Sequence, residues 1–464
     1  MPDPFRQRRP ETLITAASRL ADHFTSMTWD SVPTEQADQL GRFLFDYLGV
    51  AVNGSQTATG RILGDFAAEQ GGPEQASVIG HAGRATAVNA AFANAVSEHS
   101  IELDDIDELA LFHYGPPVLS AALAVAQWQR RDGRAFLTAV LAGCEAMSRI
   151  SRATNNALRN RGFHTTPTCG VFGAAVSAGL LLGLDRDQLT SALGLAGAQA
   201  SGLMEMYGPS MQKRFNPGPA ARNGVTAAIL AQKGFTGADT ILEGERGFGN
   251  AFADGLDADA LLDGLGTDIP VLIEHKPYSA ARPIHNAIDC ALDIRSRMGD
   301  AVQRHVSDIT GITVRRHPDW AGYHLNPAPQ TFHEAQVSLP YAVAAAFTFG
   351  RALPDQFAGE NLCRDDLRAL SARVIVEPDE SLARGVSCAM TVDFADGRRE
   401  TSVVDDPKGS ILNPMTTADL REKFRFLTTG LLPADAPERV EAMVADLPNQ
   451  ADLDGLFDLL VVKA

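Results

Sequence analysis

In the stretch HSIELDDIDELALFHYGPPV, from His99 to Val118, Glu102, Asp104, Asp105, Asp107 and Glu108 crowd together, with His99 before them and His113 after. Carboxylates and imidazoles ligate hard or borderline divalent ions, and they also move protons near neutrality. The stretch has no H-x-x-x-H pair and no EF-hand loop. On these residues alone a metal site, a proton-transfer site and a solvated helix end all stay open. Three further segments carry donors. In RNRGFHTTPTCG, His164 precedes a helix start, where free N–H groups seat an anion and a histidine can hold or deliver a proton. In MYGPSMQKRFNPGPAARNG, Lys213 and Arg214 lie between glycine- and proline-rich turns. A lysine there can clamp a carboxylate or stabilise an enediolate. EHKPYSAARPIHNAID offers Lys276, Tyr278, Arg282 and His285, and WAGYHLNPAP adds Tyr323 and His324. Taken singly, each of these segments could equally be a packed histidine, an exposed pair or ordinary loop sequence.

Elements must bring such residues together. Helix signals dominate up to about residue 260: Pro33 suits a first helical turn, and Leu40, Phe43, Leu44, Tyr47 and Leu48 recur at the spacing of one helical face. Further helices are expected over 87–97, 118–129, 135–152, 169–182, 188–203 and 220–233. Many are rich in alanine and glycine, which lets helix axes approach closely. Past Thr267 the pattern changes. PVLIEH, ITGITVRRH and ARVIVEP read as strands, and ARPIHNAIDCALDIRSRM and EAQVSLPYAVAAAFTFG as helices. VSCAMTVDFADGRRETSVV reads as a hairpin with a two-residue Asp396-Gly397 turn. TTADLREKFRFLTTGLL and residues 453–460 return to helix. The expected fold class is mainly α with an α+β second domain. An all-helical domain spans 1–267, an α+β lid 268–408, and closing helices 409–464 pack back on the helical domain, with a cleft between bundle and lid as the ligand site.

Composition narrows the partners. A chain of 464 residues with 45% hydrophobic content can build two cores. A formal charge of −17 disfavours nucleic acid and membrane surfaces, both anionic, so an anionic substrate needs a local basic pocket. MPDPFRQRRP has no apolar stretch behind it, and a cytoplasmic location is expected. The longest apolar run, Thr165 to Leu184, is broken by Pro167 and glycines and reads as a buried helix. Five cysteines without a C-x-x-C pair read as core residues. GERGFGNAFADG lacks the G-x-G-x-x-G spacing and there is no Walker motif, so no nucleotide cofactor is expected.

The ordered succession HSIELDDID, FHYG, RGFHTTPTCGVFGAA, QKRFNPGPAARNGVTAA, GFTGADTILEGERGFG, KPYSAARPIHNAID, QVSLPYAVAAA and DDPKGSILNP resembles the MmgE/PrpD family over nearly the whole chain. That family includes 2-methylcitrate dehydratase, cis-aconitate decarboxylase and iminodisuccinate epimerase. The resemblance implies a homodimer, an active site between helical domain and lid, a small anionic carboxylate substrate, and neither metal nor organic cofactor. By motif it implies catalytic roles for His113, His164, Lys213, Lys276 and Tyr323. Glu102, Asp104, Gln212, Arg282 and His285 become the implied substrate-binding set. The chain departs from the family pattern at Glu102, where aspartate is usual, at Ile106, where threonine often follows the acidic pair, and at Tyr114, where proline usually follows the histidine. The implied chemistry is proton abstraction next to a carboxylate, most simply dehydration of a 2-methylcitrate-like acid. Epimerisation and decarboxylation are the enzymatic alternatives, and a silent carboxylate-binding relative is the non-enzymatic one.

Overall fold

The computed structural model describes residues 14–154, 157–206, 210–299, 306–383 and 387–462. Met1–Pro10 and Tyr207–Pro209, both discussed above as sequence, lie outside them. The fold is mainly α with an α+β part. One hydrophobic core takes its residues from 16–273 and again from 415–460, and a second takes them from 278–394. No helix among the described residues is long and apolar enough to cross a membrane.

Helix Thr165–Leu181 is at the centre of the first core. It is apolar on all sides and almost wholly buried, which is what a helix surrounded by other helices requires. Helices Gly133–Ala153 and Pro217–Gln232 pack against it. Asp132 caps the first by accepting from the Ala135 N–H at 2.8 Å, and Pro217 suits the first turn of the second. Close approach depends on missing side chains: a Cβ on Gly143 would lie 2.7 Å from the Gly173 carbonyl oxygen, and one on Gly173 would lie 2.7 Å from that of Gly143. Helix Thr34–Ser55 buries the face predicted for it and carries the closing helix Thr417–Thr428, with the Phe45 and Phe424 rings stacked 4.6 Å apart. The closing helix thus returns to the first core.

The second core lies between helices His285–Arg297 and Leu339–Phe349 and one face of a four-stranded sheet. Its order is Val374–Pro378, Ile309–Arg316, Cys388–Phe394, Arg399–Val404, with the first pair parallel and the others antiparallel. Several expectations need correction. PVLIEH makes only one bridge, Ile106 with Glu274, because Pro270 and Pro277 remove ladder donors at either end. EAQVSLPYAVAAAFTFG is two helices, Phe332–Ala335 and Leu339–Phe349, since Ser338 caps the second and Pro340 cannot continue the first. The hairpin loop is three residues, closed by the Phe394 N–H to Arg398 carbonyl bond, with Gly397 left-handed at φ +85°. The C-terminal helix shrinks to Asp454–Phe457, preceded by Ala436–Ala445, which was not expected. A two-stranded pairing, Ala76–Ser77 with Arg84–Ala85, interrupts the helical part.

Gly143→Ala and Gly173→Ala should each destabilise the protein by roughly 1–3 kcal/mol through overpacking. Gly311→Ala, where a Cβ meets nothing within 4 Å, should change stability little. Thermal unfolding of the three variants checks this, and equal melting temperatures would refute the close-approach account.

Candidate active site

The acidic stretch leaves helix Ala87–His99 and folds back on itself before the π-helical turn Gly115–Leu119. Asp104 is completely buried at its centre. One of its oxygens accepts from His99 Nδ1 at 2.6 Å and lies 3.1 Å from His113 Nδ1, whose hydrogen bond goes to the Asp105 carbonyl, and the other oxygen accepts from Lys276 Nζ at 3.2 Å. Burial alone would raise this carboxyl, but His113, Lys276 and His99 outweigh it and hold the group well below the usual carboxylate range. Its neighbours have structural duties. Asp105 accepts from the Tyr114 and Gly115 N–H groups, both at 2.8 Å, and starts the π turn. Burial and then Asp104 push its carboxyl up to about 8. Asp107 accepts from the Ala110 N–H at 2.9 Å and the Tyr114 hydroxyl at 2.8 Å.

Glu102 adopts a left-handed backbone at φ +57°, a conformation that costs a non-glycine residue roughly 1–2 kcal/mol. The loop is held there by the preceding Ile101 carbonyl, which accepts from Ser279 Oγ at 2.5 Å and Gln336 Nε2 at 2.8 Å. So turned, the Glu102 carboxylate contacts Lys213 and Arg214 and lies 3.6 Å from Lys276 Nζ. Lys213 and Arg214 come from the short helix Gln212–Phe215. Burial lowers Lys276 to about 8, with Asp104 opposing the shift and Lys213 adding to it.

The hydrogen-bond partners assign both imidazole tautomers. His113 Nδ1 faces two acceptors, Asp104 and the Asp105 carbonyl, so it carries the proton and Nε2 keeps a lone pair. His164 begins helix Thr165–Leu181, and its Nδ1 accepts from Asn216 Nδ2 at 3.3 Å. The Leu203 carbonyl fixes that amide's orientation, leaving the His164 proton on Nε2. Burial first, then nearby cations and imidazoles, holds both rings well below the usual histidine range, so both are neutral. The potential ligand atoms of His99, Asp104 and His113 lie within 4.8 Å of one another. The His99 Nδ1–H is nevertheless donated to Asp104 and the His113 Nδ1–H to the Asp105 carbonyl, and Lys276 stands against the Asp104 carboxylate, so a divalent cation would displace donors and meet a like charge. The arrangement fits a hydrogen-bonded anion better than a ligand set.

An inner cavity of about 90 Å³ is lined by Glu102, His113, His164, Lys213, Lys276 and Arg282, among others. It shares Leu111, Arg159, Trp320 and His324 with an outer cavity of about 1120 Å³. Arg282 is tied to Glu108 and Glu274, each at 3.3 Å. Four predicted residues are placed elsewhere. Asp104 does not line the cavity and acts through the groups it orients. Gln212 is exposed, because the turn that buries Lys213 and Arg214 faces it outward. His285 is buried in the second core, donating from Nε2 to the Ala280 carbonyl at 2.9 Å. Tyr323 is 58% exposed and lines only the outer cavity. His324, at φ +65°, turns inward instead. Arg159, Trp320 and Glu108 also line the inner cavity without having been predicted as site residues. Arg159 belongs to the same RNRGFH segment as His164, but sequence could not distinguish it from Arg161, which pairs with Asp254.

Family models for the MmgE/PrpD N-terminal domain and the MmgE/PrpD C-terminal domain match residues 18–260 and 278–449. The chain belongs to the MmgE/PrpD family. It is 28% identical over 482 residues to "Cis-aconitate decarboxylase-like protein oryM" of Aspergillus oryzae, covering 97% of this chain and 98% of that protein. It is 25% identical over 467 residues to "Cis-aconitate decarboxylase" of Aspergillus terreus, covering 96% and 95%. Against "Cis-aconitate decarboxylase" of Homo sapiens it is 27% identical over 431 residues, covering 90% and 89%. In this MmgE/PrpD chain both matched regions contribute residues that line the cavity. His113, His164 and Lys213 come from the first, and Arg282 and His324 from the second.

Asp104→Asn should release the His99 proton from Nδ1, leave the His113 proton on Nδ1 where the Asp105 carbonyl accepts it, and let the Lys276 titration fall below about 8, since Asp104 is the neighbour that holds it up. Nitrogen-15 NMR of histidine- and lysine-labelled protein checks this. An unchanged His99 tautomer would refute the role given to Asp104.

Proposed function

We propose that this chain is a lyase that acts on a small di- or tricarboxylate, using its own side chains as acid and base. The observation carrying this reading is the pairing, in one inner cavity, of a neutral His113 with a free Nε2 lone pair and a Lys276 ammonium lowered to about 8. A carbon acid beside a carboxylate is weak, and its enediolate needs positive charge and hydrogen-bond donors close by. Lys213, Lys276 and the His164 Nε2–H line the cavity in which that charge would develop.

The names of the relatives favour decarboxylation of an aconitate-like acid as the reading to test first. In that reaction a C–C bond breaks and CO₂ leaves, while the electron pair spreads into the remaining unsaturated carboxylate. Lys276 then delivers a proton to the carbon at the far end of that system. Dehydration of a 2-methylcitrate-like acid is the second reading, and the His113 lone pair favours it. That reaction needs a base on the carbon next to the carboxylate and an acid on the leaving hydroxyl. Glu102 and Ile106 both line the cavity and both depart from the family pattern, which supports a substrate different from cis-aconitate itself.

The test is a screen of citrate-, 2-methylcitrate-, aconitate- and aspartate-derived acids followed by NMR in deuterated buffer. Bicarbonate release assigns decarboxylation, a new alkene without it assigns dehydration, and deuterium exchange with neither assigns epimerisation. No change in any acid would sink the lyase reading. For an accepted substrate, kcat should fall about tenfold per pH unit above about 8, because the Lys276 proton is present below that pH and lost above it. Lys276→Met should remove this alkaline limb together with at least 100-fold of the rate.

A further inference from the structure

The cations lining the inner cavity are not equivalent. Lys213 is matched by Glu102, Lys276 by Asp104 and Glu102, and Arg282 by Glu108 and Glu274. Arg159 is the exception: among the described residues its guanidinium makes no hydrogen bond and no ion pair. It is only half-buried, on the short helix Ala157–Asn160, and the Gly162 turn at φ +88° leads from it to His164. It borders both cavities, at the rim they share with Leu111, Trp320 and His324. A planar fork with unspent charge at a partly dehydrated rim is suited to bidentate binding of a carboxylate.

We infer that Arg159 selects the substrate by binding a carboxylate remote from the reacting carbon, where the inner cavity opens into the outer one. This rests on the lyase reading above. The reacting end lies inward, against His113 and Lys276. The inner cavity, at about 90 Å³, is far smaller than the outer one at about 1120 Å³, so an acid with several carboxylates extends across the rim to Arg159. The charge of Arg159 also helps keep His164 and His324 neutral, after burial as the main cause, and so leaves its own guanidinium as the anion receptor at that rim. The substrate class is then a di- or tricarboxylate with its second carboxylate several bonds from the first. A monocarboxylate would leave Arg159 unmatched.

Calorimetric titration with propane-1,2,3-tricarboxylate and with butyrate, on the wild-type protein and on Arg159→Ala and Arg159→Lys, tests this. Arg159→Ala should weaken tricarboxylate binding about tenfold to a hundredfold and leave butyrate binding unchanged. Arg159→Lys, which keeps the charge but loses the fork, should recover part of the loss. If the alanine variant does not fold, Arg159→Gln replaces it. Tricarboxylate binding that is insensitive to Arg159, or an equal loss for both acids, would overturn the assignment while leaving the lyase reading intact. A wild-type protein that binds neither acid would overturn both.

Discussion

A buried carboxylate without partners is not tolerated in a protein interior, and Asp104 is completely buried. Its ionised state is possible only because three groups converge on it: His99 donates from the end of helix Ala87–His99, Lys276 donates from the segment following the Ile106–Glu274 bridge, and the His113 imidazole lies 3.1 Å away just before the π turn. Each group comes from a separate stretch of chain. Satisfying this one charge therefore fixes the relative placement of those stretches, and with them the imidazole and ammonium that face the cavity. Behind it Asp46 repeats the device, meeting Lys423 at 2.8 Å and His275 at 3.3 Å, while Lys423 also donates to the Leu103 carbonyl at 2.8 Å. The closing helix is tied by that lysine to the loop that carries Asp104.

This explains how a chain of net charge −17 can present a basic pocket. The acids of the central stretch do not sum into one repulsive patch, because most are assigned to donors and turned away from the cavity. Asp105 is committed to backbone N–H groups and Asp107 to Ala110 and Tyr114. Glu102 and Glu108 line the cavity, Glu108 against Arg282, and Glu102 sets two cations side by side at a spacing their mutual repulsion would otherwise oppose. An incoming carboxylate can then compete with Glu102 for those donors in a site already shaped for an anion.

Much of the fold was legible because burial imposes periodicity. The helix over Thr34–Ser55 follows from the recurrence of Leu40, Phe43, Leu44, Tyr47 and Leu48, and strand Ile309–Arg316 from alternating buried residues. The misreadings share a cause. PVLIEH has strand composition but is flanked by Pro270 and Pro277, which lack ladder donors, and Ser338 divides a helix whose apolar pattern runs on past it. In both, a local hydrogen-bond decision overrode hydrophobic pattern. Tyr323 and His324 illustrate the same limit at the site: adjacent residues of similar chemical promise, of which Tyr323 lines only the outer cavity while His324, with its left-handed backbone, also reaches the inner one.

By itself the sequence determined which chemistry was available. Its imidazoles, lysines and carboxylates, in family order, supply groups that hold charge and move protons near neutrality, because residue type fixes charge and proton affinity to first order. Only the tertiary structure decided which of them share a cavity and in what protonation state. Gln212 and His285 went outward or into the second core, while Arg159 came to the rim with no hydrogen-bond or ion-pair partner for its guanidinium among the described residues. Asp104 became an anion and Lys276 a group poised near 8. Those outcomes depend on burial and on distances between segments far apart in sequence, and neither quantity is written in the order of residues.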